Sequence, residues 1–243
     1  MTIEDKLWNA APPATENFDP AKIRHLPERV QAYLCHAIAE GTPLATSIRL
    51  RMSGEIKVKG WLPFHATQVL TYGAGFIWRA KAHMGVISMS GFDQLADGQG
   101  QMDWKLFGLI PFISVDGHDI TRAAEGRMAV ECMWIPGFLA SPAVTWTEEG
   151  PKITAHYPLG GSAASVALEL LPNGQPTSCL IMRWGSVNKE SFRYVPFGGT
   201  IEEEATFGGF TIPSKLSVGW NFGNEKYAEG EFFRCRVEGA EFR

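Results

Sequence analysis

From Ser47 onward, hydrophobic and polar residues alternate with a period of two. In SIRLRMSGEIKV, Ile48, Leu50 and Met52 alternate with Arg49 and Arg51, the mark of a strand dry on one face and wet on the other. FHATQVLTY and GFIWRAKAH follow, separated by Gly73 and Gly75. In the second, Phe76, Trp78, Ala80 and Ala82 oppose Ile77, Arg79, Lys81 and His83. The runs VISMSGF, GQMDWKLFG, AVTWTE, KITAHYPL, SVALELL, SCLIMRWG, EEEATFGGF, IPSKLSVGW and EFFRCRVEGAEF read as further strands, with ADGQG and LPNGQ as turns. Short strands at hairpin spacing, with no βαβ alternation, predict a strongly curved antiparallel sheet or incomplete β-barrel.

Two segments change to a helical period. HLPERVQAYLCHAIAEG predicts a helix over about 27–39, with Pro27 in the first turn and Gly41 as the stop. Val30, Tyr33, Leu34 and Ala37 share its face. DITRAAEGRMAVECMWIP predicts a second helix over 119–134, capped by Asp119 and ended by Pro136 and Gly137. A helix set in the middle of a meander covers the concave face of the sheet or its open end. The expected fold is mainly β, with an N-terminal helix and a central lid helix. Residues 1–26 form an N-terminal arm, loose apart from a short helical turn, and 27–243 a single domain.

The lid helix carries the candidate chemistry. At 100° per residue, Ile120, Ala123, Ala124 and Trp134 fall on one side, with Arg127 and Glu131 in the middle of it. Arg122 and Glu125 fall on the opposite, solvated side. At i, i+4 the side chains of Arg127 and Glu131 can meet. Under a sheet such a pair must be desolvated, which costs several kcal/mol per ion before attraction is counted. One reading makes it a structural anchor between helix and sheet. The other makes it a ligand-contacting or catalytic pair, Glu131 acting as general acid or base and Arg127 setting its pKa. His65, His83 and His156 lie in strand segments and are the candidates for a second proton-transfer group.

Composition narrows the classes. The 243 residues are 45% hydrophobic and 20% charged, as expected of a chain with a sizeable core. The net charge of −4, with no basic block, argues against nucleic acid as a partner. No run approaches the length of a transmembrane helix, and the acidic start MTIEDKLWNAAPPATENFDP does not read as a signal peptide. Cys35, Cys132, Cys179 and Cys235 form no C-x-x-C motif and are expected as four free, buried thiols in a reducing cytoplasm. Metal-ligand motifs, nucleophile elbows and phosphate or dinucleotide loops are missing, so neither a metal nor an organic cofactor is implied. Asp93 and Asp97, four residues apart, are too few for a calcium loop.

Aromatic residues are the positive signal. Trp61, Phe64, Phe76, Trp78, Trp104, Trp134, Trp146, Trp184 and Trp220 spread over the sheet and the helix. Most of them suit a core. A curved sheet of this length, however, encloses more volume than one helix fills, and surplus rings would line a ligand cavity. The expected ligand-binding residues are Trp61, Phe64, Phe76, Trp78, Trp104, Trp134, Trp184 and Trp220.

The segments LPERVQAYLCHAI, SIRLRMSGEI, WLPFHATQVL, GFIWRAK, DGQGQMDWKLFGLIPF, RAAEGRMAVECMWIP and GFTIPSKLSVGW resemble an uncharacterised bacterial domain family of unknown function. The arrangement as a whole resembles the incomplete β-barrel of the lipoprotein-localisation-factor (LolA-like) fold. That resemblance implies a bent sheet holding apolar guests under helices, and no established activity. The expected function is binding of a hydrophobic or aromatic small molecule in a half-barrel cavity. The alternative is a cofactor-free isomerase, lyase, cyclase or hydrolase working through Glu131, Arg127 and a histidine. The oligomeric state is left open.

Overall fold

The structure is a computed structural model that describes residues 1–85, 87–188 and 190–243. Val86, expected at the start of a strand, lies outside the described residues. The strands are β1 (Ser47–Lys57), β2 (Trp61–Thr71), β3 (Gly75–Met84), β4 (Ile87–Ala96), β5 (Gln99–Leu106), β6 (Ile110–Asp116) and β7 (Thr145–Glu149). They continue as β8 (Lys152–Leu159), β9 (Ser162–Leu170), β10 (Pro176–Gly185), β11 (Arg193–Phe207), β12 (Phe210–Trp220) and β13 (Glu231–Phe242). The helices are α1 (Ile3–Ala10), α2 (Glu28–Ala37), α3 (His118–Glu131), α4 (Pro136–Leu139) and α5 (Tyr227–Gly230).

All strands join one antiparallel sheet in the order β6-β5-β4-β3-β2-β1-β13-β12-β11-β10-β9-β8-β7. Each arm is a plain meander, and pairing of β1 with β13 joins the two arms through the chain ends. α3 packs against both β5 and β10. Eight inter-strand steps separate those strands in the order, and in a flat sheet steps of about 4.8 Å would set them about 38 Å apart. A helix is only about 10 Å across, so the sheet must curl around α3. β6 and β7 stay unpaired with one another, and the barrel is incomplete.

Period-two alternation sends one row from each strand into the concavity. Ile48, Leu50 and Met52 of β1, Phe64, Ala66 and Leu70 of β2, and Phe76, Trp78, Ala80 and Ala82 of β3 all enter one core with the buried residues of α2 and α3. Val30, Tyr33, Leu34 and Ala37 are the buried face of α2, as its pattern implied.

The N-terminal residues are less loose than expected. α1 carries a capping box between Thr2 and Asp5, and its Leu7 packs on Val69 and Ile77 in a separate cluster on the outer face of the sheet. Lys6 pairs with Asp97 at 2.6 Å, and Thr71 Oγ1 donates to the Leu7 carbonyl at 2.9 Å.

Several boundaries differ from the pattern. α3 begins after Gly117, whose φ of 101° excludes most side chains. Asp119 caps nothing; its carboxylate accepts the Trp184 indole N–H at 2.9 Å instead. The helix ends at Glu131 and tightens to a 3₁₀ turn over Cys132–Trp134, and Pro136 opens α4 rather than closing α3. EEEATFGGF is strand as expected over Glu202–Phe207, the end of β11, and Gly208 and Gly209 then turn the chain into β12 at φ 55° and 88°. β6 and the first half of β11 escape the pattern. In β11, Pro196, Gly198 and Gly199 depress strand propensity, yet all three sit in register with β10.

All four cysteines are free, and Cys35 is exposed rather than buried. Burial pushes the thiols of Cys132, Cys179 and Cys235 up to about 12. Ellman's reagent is therefore expected to titrate Cys35 promptly in the native protein, and the other three only in denaturant. Fast release from more than one thiol would contradict this packing. Among the described residues, no helix is long and apolar enough to cross a membrane.

Candidate functional site

The opposing arms and α3 leave a cavity of about 300 Å³ between them. Its wall is made of Met52, Ile56, Trp78, Met102, Val130, Met133, Trp134, Cys179, Phe197, Leu216, Val218, Trp220, Phe232 and Phe233, together with the polar residues Gln68, Asp93, Arg127, Glu131 and Arg183. Aromatic rings pack edge to face along one wall: Phe197 of β11 stands at 65° to its cross-strand partner Trp220 of β12, with ring centres 5.0 Å apart. Trp134 donates its indole N–H to the Pro213 carbonyl at 3.0 Å, which spends its polar end on the backbone and leaves an apolar ring.

Arg127 and Glu131 lie on this wall. Arg127 Nε donates to Glu131 Oε1 at 2.7 Å, and a terminal nitrogen donates to Asp93 Oδ2 at 2.9 Å. The remaining carboxylate oxygens are also used. Trp104 Nε1 donates to Asp93 Oδ1 at 2.9 Å, and Gln68 Nε2 to Glu131 Oε2 at 2.6 Å. The guanidinium also rests over Phe76 and Trp78, 4.8 and 5.2 Å from the ring centres. Burial works against the Arg127 charge, but Glu131 and Asp93 more than offset it and hold its pKa above the usual guanidinium value. The pair expected from the helix is thus the centre of a network that ties α3 to β2, β4 and β5. An ion pair sits in the apolar stripe because the sheet supplies its second carboxylate and its amide.

Arg183 is the second cation on the wall. Its Nε donates to the Ala123 carbonyl of α3 at 3.1 Å, and its guanidinium packs over Phe197 and Trp220 at 4.4 and 5.1 Å. Burial, and then repulsion from Arg127, push its pKa down to about 9. The stem of Arg183 passes under α3 at Gly126, where an added Cβ would stand 2.8 Å from Arg183 Cγ.

Of the expected ligand-binding rings, Trp78, Trp134 and Trp220 border the cavity. Phe64 and Phe76 are buried behind them, Phe64 stacked on Phe233 with centres 5.2 Å apart. Trp104 supports Asp93 and Trp78 from one layer further out. Trp61 lies away from the cavity under Arg234, 4.1 Å from its ring centre. Trp184 sits at the start of α3 beneath Arg122, at 4.2 Å. Arg122, expected in solvent, is thus held over a ring and also donates to the Tyr194 hydroxyl at 2.9 Å. Trp146 packs edge-on to Tyr33 of α2.

The three histidines lie on the other side of the sheet. His65 and His83 are exposed, because Phe64, Ala66 and Ala82 take the inward positions of their strands. His156 alternates with buried Ala155 and Tyr157, and its ring bonds Thr147 and Ser165 on the neighbouring strands at 3.1 and 2.9 Å. None of them reaches the Arg127–Glu131 pair. Among the described residues, no group of three or more His, Cys, Asp or Glu side chains is placed to hold a metal.

Pattern reading missed Gln68, Asp93 and Arg183 as wall residues, although a signal for each was present. Gln68 follows Phe64 and Ala66 on the inward row of β2. Asp93 faces Trp78 across β3 and β4. Arg183 follows Cys179 and Ile181 on the inward row of β10. A polar residue in the buried register of an alternating strand marks a site, since such a residue needs a partner there.

Fold and site together define a half-barrel with an apolar cavity whose lid helix is held by a buried ionic network. The chain belongs to DUF6544, a family of unknown function, which matches residues 16–232. In fold it is similar to a LolA superfamily protein from Nitrosomonas europaea, with a TM-score of 0.44 and 8% identity over 88% of this chain and 92% of that one. It is also similar to a domain from Vibrio parahaemolyticus named for outer membrane lipoprotein sorting, with a TM-score of 0.41 and 7% identity over 81% of this chain and 85% of that one. No curated protein matches the sequence.

Proposed function

We propose that this protein binds a hydrophobic or aromatic small molecule in the half-barrel cavity and acts as a carrier or sensor for it. The observation that carries this reading is a cavity of about 300 Å³ walled mainly by methionine, aliphatic and aromatic side chains. Small-molecule sites have this make-up: a largely apolar concavity with a few convergent polar groups. The methionines Met52, Met102 and Met133 add an adaptable surface that can repack around guests of different shape. A cytoplasmic location belongs to the same proposal and is supported by the four free cysteines.

Acid/base catalysis is the weaker reading. Both carboxylates on the wall are engaged by Arg127, Trp104 and Gln68, and the histidines lie on the outer face. Burial keeps Cys179, the thiol on the wall, protonated at neutral pH, which removes it as a nucleophile.

The test is displacement. Protein stripped of lipid by partial unfolding and refolding is expected to bind the neutral fluorophore N-phenyl-1-naphthylamine with quenching of tryptophan emission. Apolar compounds added afterwards should release it. Native mass spectrometry of protein from its own host should show a bound small molecule that is lost on stripping. A stripped protein that takes up no apolar probe, and a native one that carries no guest, would together sink the proposal.

A further inference from the structure

Arg127 and Arg183 share one cavity wall but not one environment. Arg127 holds Asp93 and Glu131 directly, at 2.9 and 2.7 Å. Among the described residues Arg183 has no carboxylate within 4.0 Å, and the only hydrogen bond of its side chain there runs from Nε to the Ala123 carbonyl. Its terminal nitrogens carry four N–H groups, and none has a partner among the described residues. The guanidinium packs over Phe197 and Trp220 on the cavity wall, and its terminal nitrogens are not among the fully buried unpartnered atoms, so these donors are open to an acceptor that enters from outside the chain.

We propose that Arg183 binds the oxyanionic head of an amphiphile whose apolar remainder fills the cavity. This rests on the reading of the cavity as a ligand site. Three features make it a built subsite. The Arg183 stem reaches the wall only because Gly126 leaves room for it. The Ala123 carbonyl fixes the Nε edge at 3.1 Å and leaves the terminal nitrogens free for the guest. Beyond them the wall is apolar, through Leu216, Val218, Phe232 and Phe233. A planar guanidinium presents paired donors that match a carboxylate or a phosphate.

The four charges around the cavity, Arg127, Arg183, Asp93 and Glu131, sum to zero. That sum does not satisfy Arg183, because both carboxylates are fixed on Arg127 and on the donors behind them. The depressed pKa of Arg183 agrees with a cation lacking a counterion, and an entering anion would reverse it.

The experiment compares heads on one tail. Decanoate, decyl phosphate, decanol and methyl decanoate each displace N-phenyl-1-naphthylamine from stripped full-length protein at pH 7.5. Wild type is expected to prefer decanoate or decyl phosphate over decanol by about 10-fold or more, the range of a charge-assisted hydrogen bond. The better of the two anions identifies the head as carboxylate or phosphate. Arg183→Met should abolish the preference, so that decanoate and decyl phosphate bind no more tightly than decanol does. Arg183→Lys should retain part of it, and circular dichroism with thermal melts confirms that each variant is folded. Equal binding of acid, ester and alcohol by wild type would overturn this inference while leaving the cavity as an apolar site. An undiminished anion preference in Arg183→Met, or in Arg183→Lys should the Met variant not fold, would overturn it as well. Failure of every compound to displace the probe would count against the ligand-site reading itself.

Discussion

Replacing Arg127 with methionine is expected to lower the unfolding free energy by about 3–5 kcal/mol, the range for breaking a buried ion pair from one side. Asp93 and Glu131 have side-chain exposures of 18% and 12%, so solvent screens them poorly once the cation is gone. The two carboxylates would also lose the charge that holds them on the same guanidinium. Glu131→Gln should cost less, about 1–3 kcal/mol, because Arg127 keeps Asp93 and an amide oxygen still accepts from its Nε. Combining Arg127→Met with Asp93→Asn and Glu131→Gln should recover most of the loss, since a neutral set needs no counterion. Urea unfolding followed by tryptophan fluorescence gives all three values. If Arg127→Met melts like wild type, or the triple variant is no better than the single one, the network does not anchor the helix.

Val218→Trp should empty the site without unfolding the protein. Val218 lies between Leu216 and Trp220 on the inward row of β12, and all three border the cavity. An indole there takes up room that a guest would otherwise fill. Denying a ligand about 110 Å² of buried apolar surface, at about 25 cal/mol per Å², costs about 2.8 kcal/mol, or about 100-fold in affinity. The protein itself loses at most about 1–3 kcal/mol, the usual cost of overpacking, because the added ring enters empty space. Binding of N-phenyl-1-naphthylamine and a urea melt on the same sample separate the two effects. Unchanged probe affinity would place the probe somewhere other than this cavity.

His65 is kept off the cavity wall by a single register fact. In FHATQ the inward positions belong to Phe64, Ala66 and Gln68, so His65 must point outward. The same alternation is legible in β8, where buried Ala155 and Tyr157 flank His156 and turn it outward. Five of the eight expected rings stand off the cavity wall for a different reason. Composition says that rings are plentiful, but not which layer each one occupies. Trp104 and Phe64 are as buried as Trp78 and still stand behind it.

What the sequence by itself determined is what repeats locally: the period of two, the helical interruption at α3, and the misfit of Arg127 and Glu131 in its apolar stripe. Each follows from the geometry of a single element and needs no knowledge of neighbours. Only the tertiary structure decided which partners resolve the misfit. Asp93, Gln68 and Trp104 come from three different strands, and Arg183 comes from the far arm of the sheet. These contacts exist only because the sheet curls until β5 and β10 touch the same helix. Curvature of that kind is a sum of many small twists and bulges, and no single segment of the sequence records the sum.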